Sequence, residues 1–316
     1  MYGIIAGILV FVIAVVFFGW LTVKAGKAHS VWVKLLGILF SGVFTIIFAL
    51  LALVSAIGFY KLYRSNTVAV TNVTVTGTPD QIARGEHLAQ VLCASCHSLN
   101  DGLPLSGGEN LSADAGLPLG DIYAPNLTPA TDIKDWQDGD LFRVIRTGVD
   151  DEGRATAMTS VVGVHALSDD DILSVIAYLR QSPAVENETP EFKPTVLMAI
   201  FAGASLIPMD VPAAVSAVSA PPAASTSEYG KYVFTYMDCA SCHGVKLDGA
   251  VPPPYPAGPD IRKYFSHWSK NDFLNVVHAY AVAAQPGDVM PWKDISRMND
   301  VELEALYLYL HEVTNK

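Results

Sequence analysis

Four cysteines occur in the chain, and all of them fall in two identical pentapeptides, Cys93-Ala94-Ser95-Cys96-His97 and Cys239-Ala240-Ser241-Cys242-His243. Two thiols at this spacing lie on one helical turn, where each can add to a vinyl group of a porphyrin. The adjoining histidine then sits beneath the iron. A single C-x-x-C also suits a zinc knuckle or a redox dithiol. Duplication of the whole pentapeptide, with histidine in both copies, points instead to two covalently bound haem c groups. No thiol is left over for a disulfide or a catalytic nucleophile.

An electron-transfer iron with both axial positions filled needs a second ligand, and methionine in that place raises the potential. The chain repeats itself well beyond the pentapeptide, which sorts the candidates. Gly85 stands eight residues before Cys93, and Gly230 nine before Cys239. Ala124-Pro125-Asn126-Leu127 corresponds to Gly258-Pro259-Asp260-Ile261, and Trp136 with Asp140-Leu141-Phe142 to Trp268 with Asp272-Phe273-Leu274. Leu167-Ser168-Asp169 through Leu179 matches Met298-Asn299-Asp300 through Leu310. Met158 and Met290 occupy the same place in the two copies, ten and nine residues ahead of Ser168 and Asn299. They are the expected sixth ligands, opposite His97 and His243. His165 is the alternative in the first copy. Met237 and Met298 read as packing residues, while His87, His267, His278 and His311 read as structural or surface residues. Pro125 and Pro259 are expected to orient the ligand histidines by accepting a ring N–H. Trp136, Arg143 and Arg146 are candidates to reach haem propionates.

The elements that position these residues begin with two uncharged runs, Tyr2 to Val23 and Leu35 to Tyr60, of 22 and 26 residues. At about 1.5 Å per residue each can cross a hydrocarbon core of roughly 30 Å. The first lacks the basic flank of a signal peptide and is too long for one. Lys24, Lys27 and Lys34 lie between the runs, against Lys61 and Arg64 beyond them, so the loop is expected in the cytoplasm and the rest outside. Covalent haem attachment, which occurs outside the bacterial cytoplasm, requires the same orientation. Neither run holds an acid, a histidine or an arginine, the groups that proton relays need. They read as an anchor, with Gly3, Gly7, Gly37 and Gly42 as possible points of close helix approach.

The expected organisation is a transmembrane hairpin over 1–64, an extended connector over 65–77, a first haem domain over 78–190, an apolar segment and Ala/Pro/Ser linker over 191–224, and a second haem domain over 225–316. Thr78, Pro79 and Gln81 form a helix start, as do Ser225 and Glu228, and Ser168 and Asn299 are natural N-caps of the closing helices. The glycines are expected to let the first and last helix of each domain cross closely, beside Tyr178 and Tyr309. Val196 to Ile207, apolar and flanked by Pro194 and Pro208, is too short to span a bilayer. Packing on the first haem domain is expected of it, ahead of the membrane surface or a partner. Residues 65–316 hold 15 basic and 31 acidic residues. That excess of acid disfavours nucleic acid and anionic membrane surfaces and favours a basic docking partner.

Over residues 78–185 and 225–314 this pattern resembles class I cytochrome c. The resemblance implies an all-α chain, an N-terminal two-helix transmembrane hairpin followed by two class I cytochrome c domains. Met290-Pro291 matches the Met-Pro usual in that family, whereas Met158 is followed by Thr159. Ala124-Pro-Asn-Leu-Thr-Pro129, Trp136-x-Asp-Gly-Asp140, Arg143-x-x-Arg-x-Gly148 and Leu167-Ser-Asp-Asp-Asp171 look like the cytochrome c subunits of membrane-bound alcohol and gluconate dehydrogenases. Those subunits usually carry three haem domains and a different anchor. What the resemblance implies is a membrane-anchored dihaem cytochrome c with no catalytic site of its own. It would relay single electrons on the periplasmic face, within a respiratory or photosynthetic complex, to a soluble electron carrier or a terminal oxidase. Two rivals are the electron-input subunit of a cbb3-like haem-copper oxidase and a dihaem peroxidase with one open or labile iron.

Overall fold

The computed structural model describes the chain except for residues 70–72, 115, 161–162, 212–215, 252–256, 284–289 and 316. Helix α1 (Tyr2–Gly26) and helix α2 (Val31–Tyr63) form a hairpin. Phe18 stacks on both Phe44 and Phe48, with centroids 5.1 and 5.6 Å apart, and the Thr22 hydroxyl donates to Ser41 at 2.8 Å. Both helices outrun the uncharged segments, because Lys24 and Lys61 sit in their last turns with long stems that can reach out of an apolar layer. Most apolar side chains on the outer sides, such as Val16, Leu39 and Leu53, stay exposed. Each helix is long and apolar enough to cross a membrane.

The connector runs against the first haem region, with the Asn66 N–H donating to the Gly153 carbonyl and the Val75 N–H to Asp138; its residues 70–72 lie outside those described. Helix α3 (Pro79–Leu88) starts as expected, with Pro79 in the first turn and the Thr78 hydroxyl accepting from the Gln81 N–H. It continues through one wider turn, Ala89–Cys93, into the short helix Ala94–His97. Helix α4 (Asp138–Thr147) ends at Gly148 in the left-handed region. Helix α5 (Asp169–Gln181) is capped by Ser168. It crosses α3 at Gly85, where an added Cβ would overlap the Ser174 carbonyl and come within 3.0 Å of the Tyr178 Cβ.

Helix α6 (Val196–Gly203) follows. It packs on α2 and the start of α1 rather than on the haem domain alone. One cluster joins Ile4 and Leu62 of the hairpin, Met198 and Ala199 of α6, and Leu119, Ile122 and Met209. Gly7 accordingly faces Val196 of α6, Gly37 faces Ala25, and Gly3 and Gly42 meet nothing within 4 Å. The expected close helix approach holds for Gly37, within the hairpin, and for Gly7, toward α6, but not for Gly3 or Gly42.

The second copy repeats the first. Helix α7 (Ser227–Tyr236) is capped by Thr226, not Ser225; the Ser225 hydroxyl instead donates to Glu304 at 2.7 Å. Helix α8 (Lys270–Ala283) corresponds to α4. Helix α9 (Asp300–Thr314) begins with a reciprocal cap between Asn299 and Glu302. It crosses α7 at Gly230, where a Cβ would overlap the Ala305 carbonyl and come within 2.9 Å of the Tyr309 Cβ.

The two copies pack about an approximate two-fold relation. Asp171 and Glu302 are the third residues of their closing helices. Arg84 and His87 flank Gly85 as Tyr229 and Tyr232 flank Gly230. The Tyr232 hydroxyl donates to Asp171 at 2.6 Å, and the His87 Nε2 lies 2.6 Å from Glu302. Arg84 spans both acids, 2.9 Å from Asp171 and 2.7 Å from Glu302. His87 is therefore part of a buried ion network between the copies, a pairing the sequence reading left out. Glu302, which is fully buried, is held as a carboxylate by these half-buried partners.

Candidate functional site

Each attachment histidine is held by the turn that carries its cysteines. His97 is 8% exposed, and its Nδ1–H donates to the Pro125 carbonyl at 2.8 Å; His243 is 6% exposed and donates to the Pro259 carbonyl at 3.1 Å. Both bonds were expected. They fix the tautomer and leave the Nε2 lone pair available to a metal. Burial lowers the pKa of His97 despite its bond to Pro125, so the ring is neutral, the form that binds metal.

The cysteines fit attachment better than either rival motif. Burial, with smaller contributions from Cys96 and Asp294, pushes the Cys93 thiol up to about 12. Burial, then Asp238, does the same to Cys239. A redox dithiol needs the opposite shift. Among the described residues no three His, Cys, Asp or Glu side chains gather as a metal-binding group, as a zinc knuckle would require. Close backbone approach completes both cradles. A Cβ on Gly108 would overlap the Cys96 carbonyl, and one on Gly258 would fall 2.8 Å from the His243 Nδ1. The residues present fit a porphyrin lying against the histidine ring.

Met158 lies in a single turn, Ala157–Ser160, and Met290 stands two residues before the short helix Trp292–Ser296; both are half-buried. Each stands ahead of its closing helix, where the repeat placed it. The ring of His165 bonds to the Met158 backbone, while its Nε2 is buried with no hydrogen-bond partner among the described residues. The residue after each methionine differs for a visible reason. The Thr159 hydroxyl donates to the Pro208 carbonyl at 2.7 Å and lies 3.5 Å from the Met209 sulfur, tying the Met158 turn to the hairpin cluster. Sequence reasoning missed Met209, which is fully buried. The only available signal was Thr159 standing where the other copy has Pro291.

Arg143 and Arg146, named as propionate candidates, also hold partners within the protein, and the buried Arg146 Nε has no hydrogen-bond partner among the described residues. Arg143 donates to the Val149 and Asp150 carbonyls and pairs with Asp140. Arg146 donates to the carbonyls of His165 and Leu167 and pairs with Asp169. Both brace the loop that carries Met158. Trp136 packs half-buried on the core, and its carbonyl accepts from Arg180. Met237 and Met298 pack as expected, and His267 and His278 are exposed.

The segments that bear the cysteines also touch the opposite copy. Asp294 bonds to Ser95, and Arg297 donates to the Asp101 carbonyl at 2.6 Å. Reciprocally, Gly163 lies against Tyr236 and Asp238, just before Cys239. Each attachment segment therefore faces the stretch ahead of the other copy's closing helix.

Such a pair of histidine-and-thiol cradles, each framed by a crossing of first and last helices, defines a class of covalent haem carriers. Residues 82–183 and 227–314 match the cytochrome c family model, and the chain belongs to that family. Its role is electron transfer. Similar proteins include the fructose dehydrogenase cytochrome subunit of Gluconobacter japonicus, 35% identical over 33% of this chain and 23% of that protein. The cytochrome c subunit of the quinone alcohol dehydrogenase of Gluconobacter oxydans is 28% identical over 51% of this chain and 34% of its own length. A dihaem c-type cytochrome of Cereibacter sphaeroides is 33% identical over 33% of this chain and 36% of its own. The matches thus span only about a quarter to a third of these relatives.

Proposed function

We propose that the chain is a membrane-anchored dihaem cytochrome c that relays single electrons on the periplasmic face, as one subunit of a membrane redox complex. Haem c bound at Cys93/Cys96 and at Cys239/Cys242 supplies one-electron storage at iron. His97, His243, Met158 and Met290 would hold the two irons. The protein's task is to hold the four ligands, exclude water and keep the two centres at a fixed separation. The reading is carried by the duplicated histidine geometry, in which both Nδ1 atoms are committed to a proline carbonyl. Hairpin helices with exposed apolar flanks support the anchor. Two relatives named as dehydrogenase cytochrome subunits support a partner that oxidises substrate or quinol, passing electrons on to a soluble carrier or terminal oxidase.

The test is haem stoichiometry and ligation in the detergent-purified chain. Two covalent haems per chain, mapped by peptide mass to the two pentapeptides, with low-spin spectra insensitive to carbon monoxide, are expected. Fewer than two haems, or carbon monoxide binding at both, overturns the proposal. Binding at one centre, with peroxide turnover, would favour the peroxidase reading. Copper and haem b in the native complex would favour the oxidase reading.

A further inference from the structure

Helix α6 was the stretch whose role the sequence left open. Its fold environment differs from that of a helix covering a soluble domain. It meets α2 backbone to backbone: a Cβ on Gly58 would overlap the Ala199 carbonyl, and one on Gly203 would overlap that of Val54. At its other end Val196 lies against Gly7 of α1. Met198, Ala199 and Ala202 are buried in this contact, while Leu197, Ile200 and Phe201 are only half covered.

The depth of the contact can be read from the charged residues beside it. Lys61 pairs with Asp210 at 3.0 Å and donates to the Ser205 hydroxyl at 3.0 Å, and Arg64 lies 3.8 Å from Asp210. These groups form a polar belt where the chain leaves α6. Of the α2 residues that touch α6, Leu62 packs beside Lys61, while Val54 and Gly58 lie three to seven positions inward from it. At the rise of an α-helix that is about 5–10 Å toward the apolar centre of the hairpin. A helix satisfies its own backbone polar groups, so it can occupy that depth, and close small-residue crossings are how helices pack there.

We propose that α6 is a re-entrant membrane helix. The chain between the two haem regions dips into the outer leaflet, presents Leu197, Ile200 and Phe201 to lipid, and returns at the Lys61–Asp210 belt. This rests on the hairpin being a membrane anchor. The first haem region is then fixed to the bilayer on both sides of its sequence, by the connector and by α6. The second haem region follows after the linker and packs on the first.

The test uses the full haem-loaded chain in phosphatidylcholine nanodiscs containing a diazirine-bearing phosphatidylcholine, with cross-links mapped by mass spectrometry. Labelling of residues 196–201 within about two-fold of that on α2, and at least ten-fold above that on α9, is expected. Labelling of α1 and α2 with residues 196–201 at the α9 background overturns the inference and leaves the anchor standing. Absence of label from all three helices overturns the anchor and the inference together. If 196–201 resists both the lipid probe and hydroxyl radicals from the water side, a second protein surface covers it, and the lipid assignment fails.

Discussion

Glu302 lies at the centre of the polar contact between the haem regions. It is wholly buried, caps its own helix, and receives Arg84 and His87 from 215 to 218 positions earlier in the chain. Burial alone would raise its pKa; the His87 hydrogen bond and charge, then those of Arg84, outweigh burial and bring it down to about 2. A carboxyl with a depressed folded-state pKa contributes stability above its unfolded value, and that contribution fades as pH falls from about 4.5 toward 2. Removing one partner of a buried charge pair costs about 3 kcal/mol or more. Glu302→Gln is therefore expected to lower the neutral-pH stability by about that amount. The gap from the native chain should close below pH 4, as followed by thermal melting across the range. A gap that stays constant with pH would show that the carboxylate's charge is not what matters. None of this was legible in the sequence, because the reciprocal cap with Asn299 already accounts for a glutamate at that position. By contrast, the His97–Pro125 and His243–Pro259 bonds were legible, since the aligned prolines recur at a fixed place after each pentapeptide.

Among the elements, helix starts and crossings could be read where the cause is local and failed where it is not. Thr78, Ser168 and Asn299 cap as expected because a cap needs only its own following turn. Ser225 and Thr226 could both cap, and the choice falls to Thr226 while Ser225 is engaged by Glu304, a residue 79 positions away. Apolarity announced that α6 would be buried but not that α2 would bury it. The crossing glycines were legible because they recur, and the geometry gives them a measurable cost. Gly230→Ala places a methyl group on the Ala305 carbonyl, which backbone movement must relieve, and overpacking of this kind costs about 1–3 kcal/mol. Gly85→Ala should behave alike against Ser174. Gly42→Ala, with nothing within 4 Å, serves as the control. Melting curves that place all three variants together would refute the close crossing of α3 with α5 and of α7 with α9.

At the scale of the whole molecule, what joins the two haem regions is the paired surface between them. Asp294 with Ser95, Arg297 with the Asp101 carbonyl, and the Arg84 network act together across it. Among the described residues of the linker, the Val218 carbonyl accepts from the Asp169 N–H at 2.8 Å and the Val218 N–H donates to the Asp169 carboxylate at 3.2 Å. Ser219, Ala220, Pro222 and Ala223 beyond it are accessible to a protease, being exposed or nearly so. Cleavage there removes the tether but leaves the buried ion pairs, whose breakage costs several kcal/mol. The nicked, haem-loaded chain is thus expected to migrate as one particle in detergent at pH 7, with both haem-bearing fragments present in equal amounts. In the Glu302→Gln chain the same nick should release the second fragment, which the cut separates from the hairpin and α6. If the native fragments separate at pH 7 as readily as those of the variant, the linker and not the interface sets the spacing between the centres. The fixed separation that a relay requires would then have no structural basis.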